Sequence, residues 1–353
     1  MLFSYKYVPH QMEKMQTFIN FIFYEVWCKA PENGLFRLEL FDGDADLKDV
    51  MTSFFYGHTT GGDFFYSHVE RIYGHFAALG AAQIDQFKQW YQSNNNIEQA
   101  CANNPAVHLA KYSDIAPVYA GLCSELATFF KGLYSQQLLD LAVLREKIGD
   151  LDDHYKHFMA VNNSGKCPFC GIGDVKGVHH TKREAYDHYL PKGLYPFNSI
   201  NFRNLAPACH ECNSTYKLTK DPVSTAGGRR KAFYPYATAV HKIDIKIDLK
   251  KPDVDKLTPG DIEIEYGPAA LSEEIDTWKE VYGIEERYKA KCSGENDGKY
   301  WLMQVLDEWQ KGGHSPGDFL ATLARLAEKR PFADSNFLRK AFLDGCDRAG
   351  LLK

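Results

Sequence analysis

The chain has 353 residues and a formal net charge of −5, with 25% charged residues. That length exceeds what one compact core usually organises, so two or three domains are expected. The acidic balance excludes a protein that coats DNA by bulk attraction, so any affinity for phosphate must be local.

Residues 1–158 read as a mainly helical region. Glu13 to Trp27 is apolar at helical spacing (Met15, Phe18, Ile19, Ile22, Phe23, Val26) and stops at Pro31 to Gly34. Its most apolar part, Phe18 to Trp27, carries Asn20 and Glu25 and is too short to cross a bilayer. Nothing resembles a signal peptide, so a cytoplasmic location without membrane attachment is expected. Leu35 to Phe41 (LFRLELF) alternates like a short strand, and long helical stretches follow over about 64–92 and 115–148. The second carries a stripe of Leu122, Leu126, Phe129, Phe130 and Leu133. This region holds no phosphate loop, dinucleotide fingerprint or repeat.

Residues 159–222 form a section of different character, opening at the turn signal Asn162 to Gly165. Residues 223–353 complete the chain. Ser224 to Lys231 (STAGGRRK) reads as a flexible basic connector or, over Gly227 to Lys231 with Lys220, Phe233, Tyr234 and Tyr236, as a strip that tracks a phosphate backbone. Lys242 to Leu249 and Asp261 to Tyr266 alternate as two strands. Helices are expected over about Ser272–Lys291, Lys299–Lys311, Pro316–Lys329 and Ser335–Ala349. The fold class is α+β, with helical flanks around a small central module.

The nine cysteines include two C-x-x-C pairs, Cys167/Cys170 and Cys209/Cys212, separated by 38 residues. A C-x-x-C knuckle turns tightly enough to aim both sulfurs at one point, and two knuckles complete a closed, structural Zn²⁺ site. Thioredoxin-type redox chemistry uses one such pair at a helix start, not two matched pairs. His210 lies inside the second knuckle and reads as a bystander.

Between and after the knuckles stand Asp187-His188-x-x-Pro191, Asn204-Leu205 ahead of Cys209, Asn213 directly after Cys212, and Lys217. This order and spacing resembles the HNH endonuclease family, over about 60 residues. The resemblance implies a ββα-metal unit: a first strand ending near Asp187-His188, a second over Asn204 to Ala208, and a helix starting near Asn213. It implies His188 as general base, since a neutral imidazole accepts a proton near neutral pH. Asp187 and Asn213 would hold Mg²⁺ or Mn²⁺, hard cations that prefer oxygen, and Asn204 would fix the loop that orients His188. Lys217, Lys192 and Arg203 are candidate phosphate contacts, and His179 and His180 read as exposed loop residues.

The activity so implied is metal-dependent hydrolysis of phosphodiester bonds in DNA. Chains that join such a module to unfamiliar helical flanks resemble bacterial defence nucleases or toxins, sometimes paired with an ATPase; a homo-oligomer is the other partner considered. The competing reading is a zinc-ribbon adaptor for nucleic acid or protein, which would have no reason to hold Asp187, His188, Asn204 and Asn213 in register.

Overall fold

The computed structural model describes residues 1–239, 241–313 and 315–352. It is an α+β protein in which helices flank a small strand-poor centre. Helix α1 (Glu13–Phe21) buries Met15, Phe18 and Ile19, and continues without a break through π-helical turns over Ile22–Trp27. The wider turn keeps Ile22, Phe23, Val26 and Trp27 all inside. Around it lie α2 (Ala45–Gly57), α3 (Thr60–Phe76), α4 (Ala81–Asn95) and α5 (Ala120–Gly132). Asp44 and Thr59 cap α2 and α3 by accepting the Leu47 and Gly62 amides. The Trp27 indole donates to Val69 O at 3.0 Å, tying the first helix to the third. Helix α6 (Leu151–Val161), capped by Asp150, leads into the central section.

Three sequence expectations change here. Leu35 to Phe41 is not a strand: Leu38–Phe41 forms a 3₁₀ turn in which only Phe41 is buried, while Leu35 is 84% exposed. With no neighbouring strand among the described residues to pair with, the alternation has no ladder to join. The stretch over 64–92 is two helices, because the chain turns at Ala77 to Gly80 through the Ala78 N–H to His75 O and Leu79 N–H to Phe76 O bonds. The stretch over 115–148 divides into α5 and the short turns Gln136–Leu139 and Ala142–Ile148.

The centre contains β1 (Tyr186–His188) and β2 (Leu205–Pro207), antiparallel with His188 opposite Leu205 and Asp187 opposite Ala206. A π-helical segment, Glu211–Lys217, follows. It begins inside the second cysteine knuckle, two residues ahead of the expected start at Asn213. The basic segment 224–231 is neither a linker nor an open cationic strip. Ser224–Thr225 and Gly228–Arg229 make a short hairpin, and its arginines are used internally. Arg229 donates to Val107 O and Ala100 O at 2.7 and 2.9 Å, and Arg230 to Asp221 O at 2.8 Å and to Glu280.

In the last section, β3 (Asp244–Leu249) pairs antiparallel with β4 (Ile262–Gly267), and Ile247 and Ile262 face inward. Five helices follow: α7 (Ser272–Tyr282), α8 (Ile284–Ser293), α9 (Gly298–Gly312), α10 (Pro316–Lys329) and α11 (Asn336–Arg348). The expected single helix over Ser272–Lys291 is broken at Gly283, whose φ is +59°. A Cβ there would stand 2.3 Å from Tyr216 Cδ1, so only glycine allows α8 to turn back over the knuckle helix. Helix α11 lies on β3, with Arg348 donating to Asp248 at 2.9 Å. Buried apolar side chains from all three sections join one contiguous core. Among the described residues no helix is long and apolar enough to cross a membrane.

Candidate functional site

The two knuckles meet. The sulfurs of Cys167, Cys170, Cys209 and Cys212 are buried and all lie within 4.8 Å of one another, with Cys170 and Cys209 Sγ 3.9 Å apart. That separation is far longer than a disulfide, whereas four converging thiols suit a tetrahedral ion such as zinc. The first knuckle closes through the Gly171 N–H to Cys167 O and Cys167 N–H to Gly173 O bonds, at 2.7 and 2.8 Å. Backbone amides point at the sulfurs: Gly173 N–H to Cys170 Sγ at 3.3 Å and Cys209 N–H to Cys167 Sγ at 3.5 Å.

Both ends of the chain hold this clasp. The Leu2 amide donates to Pro168 O at 2.9 Å, the Trp278 indole to Phe169 O, and Tyr288 Oη to Cys170 O at 2.7 Å. Arg287 on α8, stacked on Tyr216, brings Nη1 to 3.2 Å from Cys212 Sγ. Four thiolates around a dication carry a net double negative charge, and a guanidinium donor offsets part of it. Nothing in the sequence marked Arg287, because it lies 75 residues beyond its sulfur. His210 points to solvent, with 78% of its side chain exposed.

Successive residues of a strand face opposite sides, and β1 uses both. On one side the Asp187 carboxylate is buried: Oδ1 accepts from Lys217 Nζ at 2.8 Å, and Oδ2 has no hydrogen-bond partner among the described residues. Burial raises the Asp187 pKa, against the pull of Lys217. Lys217 also donates to His188 O at 2.9 Å. The sequence offered Lys217 as a candidate phosphate contact. It is instead a fully buried counter-ion, 1% exposed, because the knuckle helix lies directly against β1.

On the other side, His188 Nε2 lies 3.0 Å from Ser199 O. A carbonyl only accepts, so the ring proton sits on Nε2 and the lone pair on Nδ1. Nδ1 has no hydrogen-bond partner among the described residues. The ring stands edge-on to Tyr134 at a 5.0 Å centroid distance. Burial, then the cationic Lys192 and Lys217, push the His188 pKa down to about 3, only partly opposed by the Ser199 bond. The imidazole is therefore neutral at pH 7.

Asn204 precedes β2 and clamps the loop after His188. Its Oδ1 accepts the Leu190 amide at 2.7 Å, its Nδ2 donates to Leu190 O at 3.0 Å and Asn198 O at 3.3 Å, and its own carbonyl accepts the Tyr189 amide at 2.8 Å. The N-terminal helices hold the same loop from outside. Asn94 Nδ2 donates to Pro196 O at 3.1 Å, Asn198 Nδ2 donates to Asn94 O at 3.1 Å, and the Tyr112 amide donates to Leu194 O at 2.9 Å. The acceptor that orients His188 is thus a main-chain carbonyl whose position depends on a distant region, and no side-chain letter could reveal it.

Asn213 is half-buried, four residues before Lys217 on the knuckle helix. Residues at that spacing share a helix face, so Asn213 lies toward the side from which Lys217 reaches β1. Lys192 donates to Lys131 O at 3.2 Å and sits 5.7 Å from the Tyr134 ring centre. Arg203 is engaged elsewhere: its guanidinium stacks over Tyr7 at 4.2 Å and lines a polar cleft of about 310 Å³ with Asn20, Asn95 and Asn201. The structure therefore pairs Asp187 with Lys217 on one side of β1 and turns His188 to the other, with the Asn204 clamp on the loop after His188 and Lys192 close enough to act on its charge, and it sets Arg203 apart. His179 and His180 are exposed in a loop.

No protein-family model matches the chain, and no solved structure matches it. Two curated proteins are similar to part of it. Protein ea31 of Escherichia phage lambda is 35% identical over 94 residues, covering 26% of this chain and 28% of that protein. Septu protein PtuB of Bacillus thuringiensis is 33% identical over 64 residues, covering 17% of this chain and 24% of that protein. The chain thus spans about a quarter of the length of either relative.

Proposed function

We propose that the chain is an HNH-type endonuclease that hydrolyses phosphodiester bonds in DNA with a divalent metal, Mg²⁺ or Mn²⁺, and serves bacterial defence against phage. One observation carries the reading: His188 stands at the end of β1 with Nε2 on Ser199 O and, among the described residues, no hydrogen-bond partner at Nδ1. A catalytic base needs a neutral ring in a fixed tautomer with its lone pair available. In this role Nδ1 takes the proton from an attacking water, and the Asn204 clamp keeps the ring in place.

The donor set suits a hard cation. Asp187 Oδ2 is a buried carboxylate oxygen without a partner among the described residues, and Asn213 adds an amide oxygen at the start of the knuckle helix. Asp187 and Asn213 would hold the metal, which supplies positive charge to the crowded phosphate and leaving oxygen. Lys217 holds Asp187 from the opposite oxygen, and Lys192 is the nearer candidate for a phosphate contact. The Cys₄ clasp, taken as a zinc site, has no open position and serves to hold the knuckle helix against β1.

The defence role draws on the partial likeness to Septu protein PtuB and to a phage protein. A protein partner such as an ATPase, or a second copy of the chain, fits this role, since one active centre cuts a duplex only by two nicks or as a pair. The test is plasmid cleavage with Mg²⁺ or Mn²⁺ by zinc-loaded protein, comparing wild type with His188→Ala. Cleavage lost in the variant supports the reading. Cleavage that survives places the active centre elsewhere, and no cleavage under either metal favours a non-catalytic zinc adaptor.

A further inference from the structure

We propose that His10, Asp153 and His157 form a second metal site, for a borderline divalent ion of the zinc class, which staples the N-terminal segment to α6. This inference is independent of the nuclease reading. Asp153 and His157 are four residues apart on α6 and share a face. His10 arrives from the segment before α1, its Nε2 3.1 Å from Asp153 Oδ2, while His157 Nδ1 lies 3.4 Å from the same oxygen. One ligand atom from each residue lies within 4.8 Å of the other two. Two imidazoles and a carboxylate select zinc, nickel or cobalt over magnesium and calcium, and leave a fourth tetrahedral position to water.

The neighbouring charges support a cation at this point. Asp150 and Asp152, on the same turn of helix, are each paired with an arginine, Arg145 and Arg183. Among the described residues Asp153 has no lysine or arginine partner and faces only the two histidines. In the ion-free chain the Met12 amide donates to His10 Nδ1 at 3.2 Å, which puts the ring proton on Nε2, facing Asp153. A bound ion takes the place of that proton, which moves to His10 Nδ1 with loss of the Met12 contact, and at His157 it displaces the Nδ1 proton now shared with Asp153 O at 3.0 Å, which moves to Nε2. The site is accordingly weaker and more exchangeable than the buried clasp.

The ion would act on the strand that carries the candidate base. Lys6 and Asn162 already join the N-terminal segment to the end of α6 through two hydrogen bonds, at 2.8 and 2.9 Å. The ion adds a second fastening near the helix start. Between the two, His154 of α6 reaches inward to the Tyr186 hydroxyl on β1, two residues before His188.

The experiment is a nickel titration of the tag-free, zinc-loaded full chain, followed by metal analysis and thermal melting in excess Mg²⁺. The expected result is one nickel per chain beyond the clasp zinc, with a raised Tm. The nickel and the Tm rise are lost in His157→Gln and in Asp153→Asn, and kept in His188→Ala and in the double variant His179→Ala/His180→Ala. Both ligand variants change exposed side chains, and unchanged zinc content shows that they fold. The proposal is overturned if no nickel binds beyond the zinc, if binding survives both ligand variants, or if it is lost with His188 or the His179/His180 pair instead.

Discussion

Replacing Lys217 by methionine tests the buried side of β1. The side chains of Lys217 and Asp187 are 1% and 3% exposed, so water screens neither charge. Methionine keeps most of the volume and avoids a large cavity, but removes the donor to Asp187 Oδ1 and to His188 O. Breaking a buried pair from one side costs roughly 3–5 kcal/mol, because the stranded carboxylate loses the Lys217 ammonium. Proton uptake by Asp187 caps the loss. The assay is urea unfolding followed by tryptophan fluorescence, with stability read from the midpoint at constant slope. Adding Asp187→Leu to Lys217→Met replaces the pair by apolar groups and is expected to recover most of the loss, to within about 1 kcal/mol of wild type. A single-variant cost below about 1 kcal/mol, or no recovery in the double variant, would refute the buried counter-ion.

Three further outcomes follow from the geometry. Gly173→Ala puts a Cβ 2.7 Å from Cys209 Sγ, so the purified variant should carry well under one zinc per chain by metal analysis. Arg287→Ala leaves the cysteines intact but removes a donor from Cys212, and should weaken zinc about 10–100-fold in chelator competition. Asn204→Ala unmakes three buried side-chain hydrogen bonds around the His188 loop. At about 1 kcal/mol each it should cost roughly 3 kcal/mol in denaturation and reduce cleavage more than stability alone explains; unchanged cleavage by folded variant would separate the loop from the chemistry.

Local chemistry with a short period was legible in the letters. Two C-x-x-C pairs announced a four-sulfur cluster because each knuckle is a self-contained turn, and the four sulfurs do converge. The two C-terminal strands showed through strict alternation, and the helix over Pro316–Lys329 through its apolar stripe between proline and the end of the pattern. Each of these depends on residues a few positions apart. The strand expected at Leu35 to Phe41 failed because a strand needs a partner, and partnership is not a local property. The arginines of 229–230 and the lysine at 217 misled for a related reason: a cation reads the same whether it meets water or a distant carbonyl and carboxylate. Only the tertiary structure decided that Arg287 sits on the cysteine cluster, that Ser199 O sets the His188 tautomer, and that His10 joins Asp153 and His157. Those contacts link segments 11 to 143 residues apart, and the energy that selects them comes from burying the shared core rather than from any neighbouring residue.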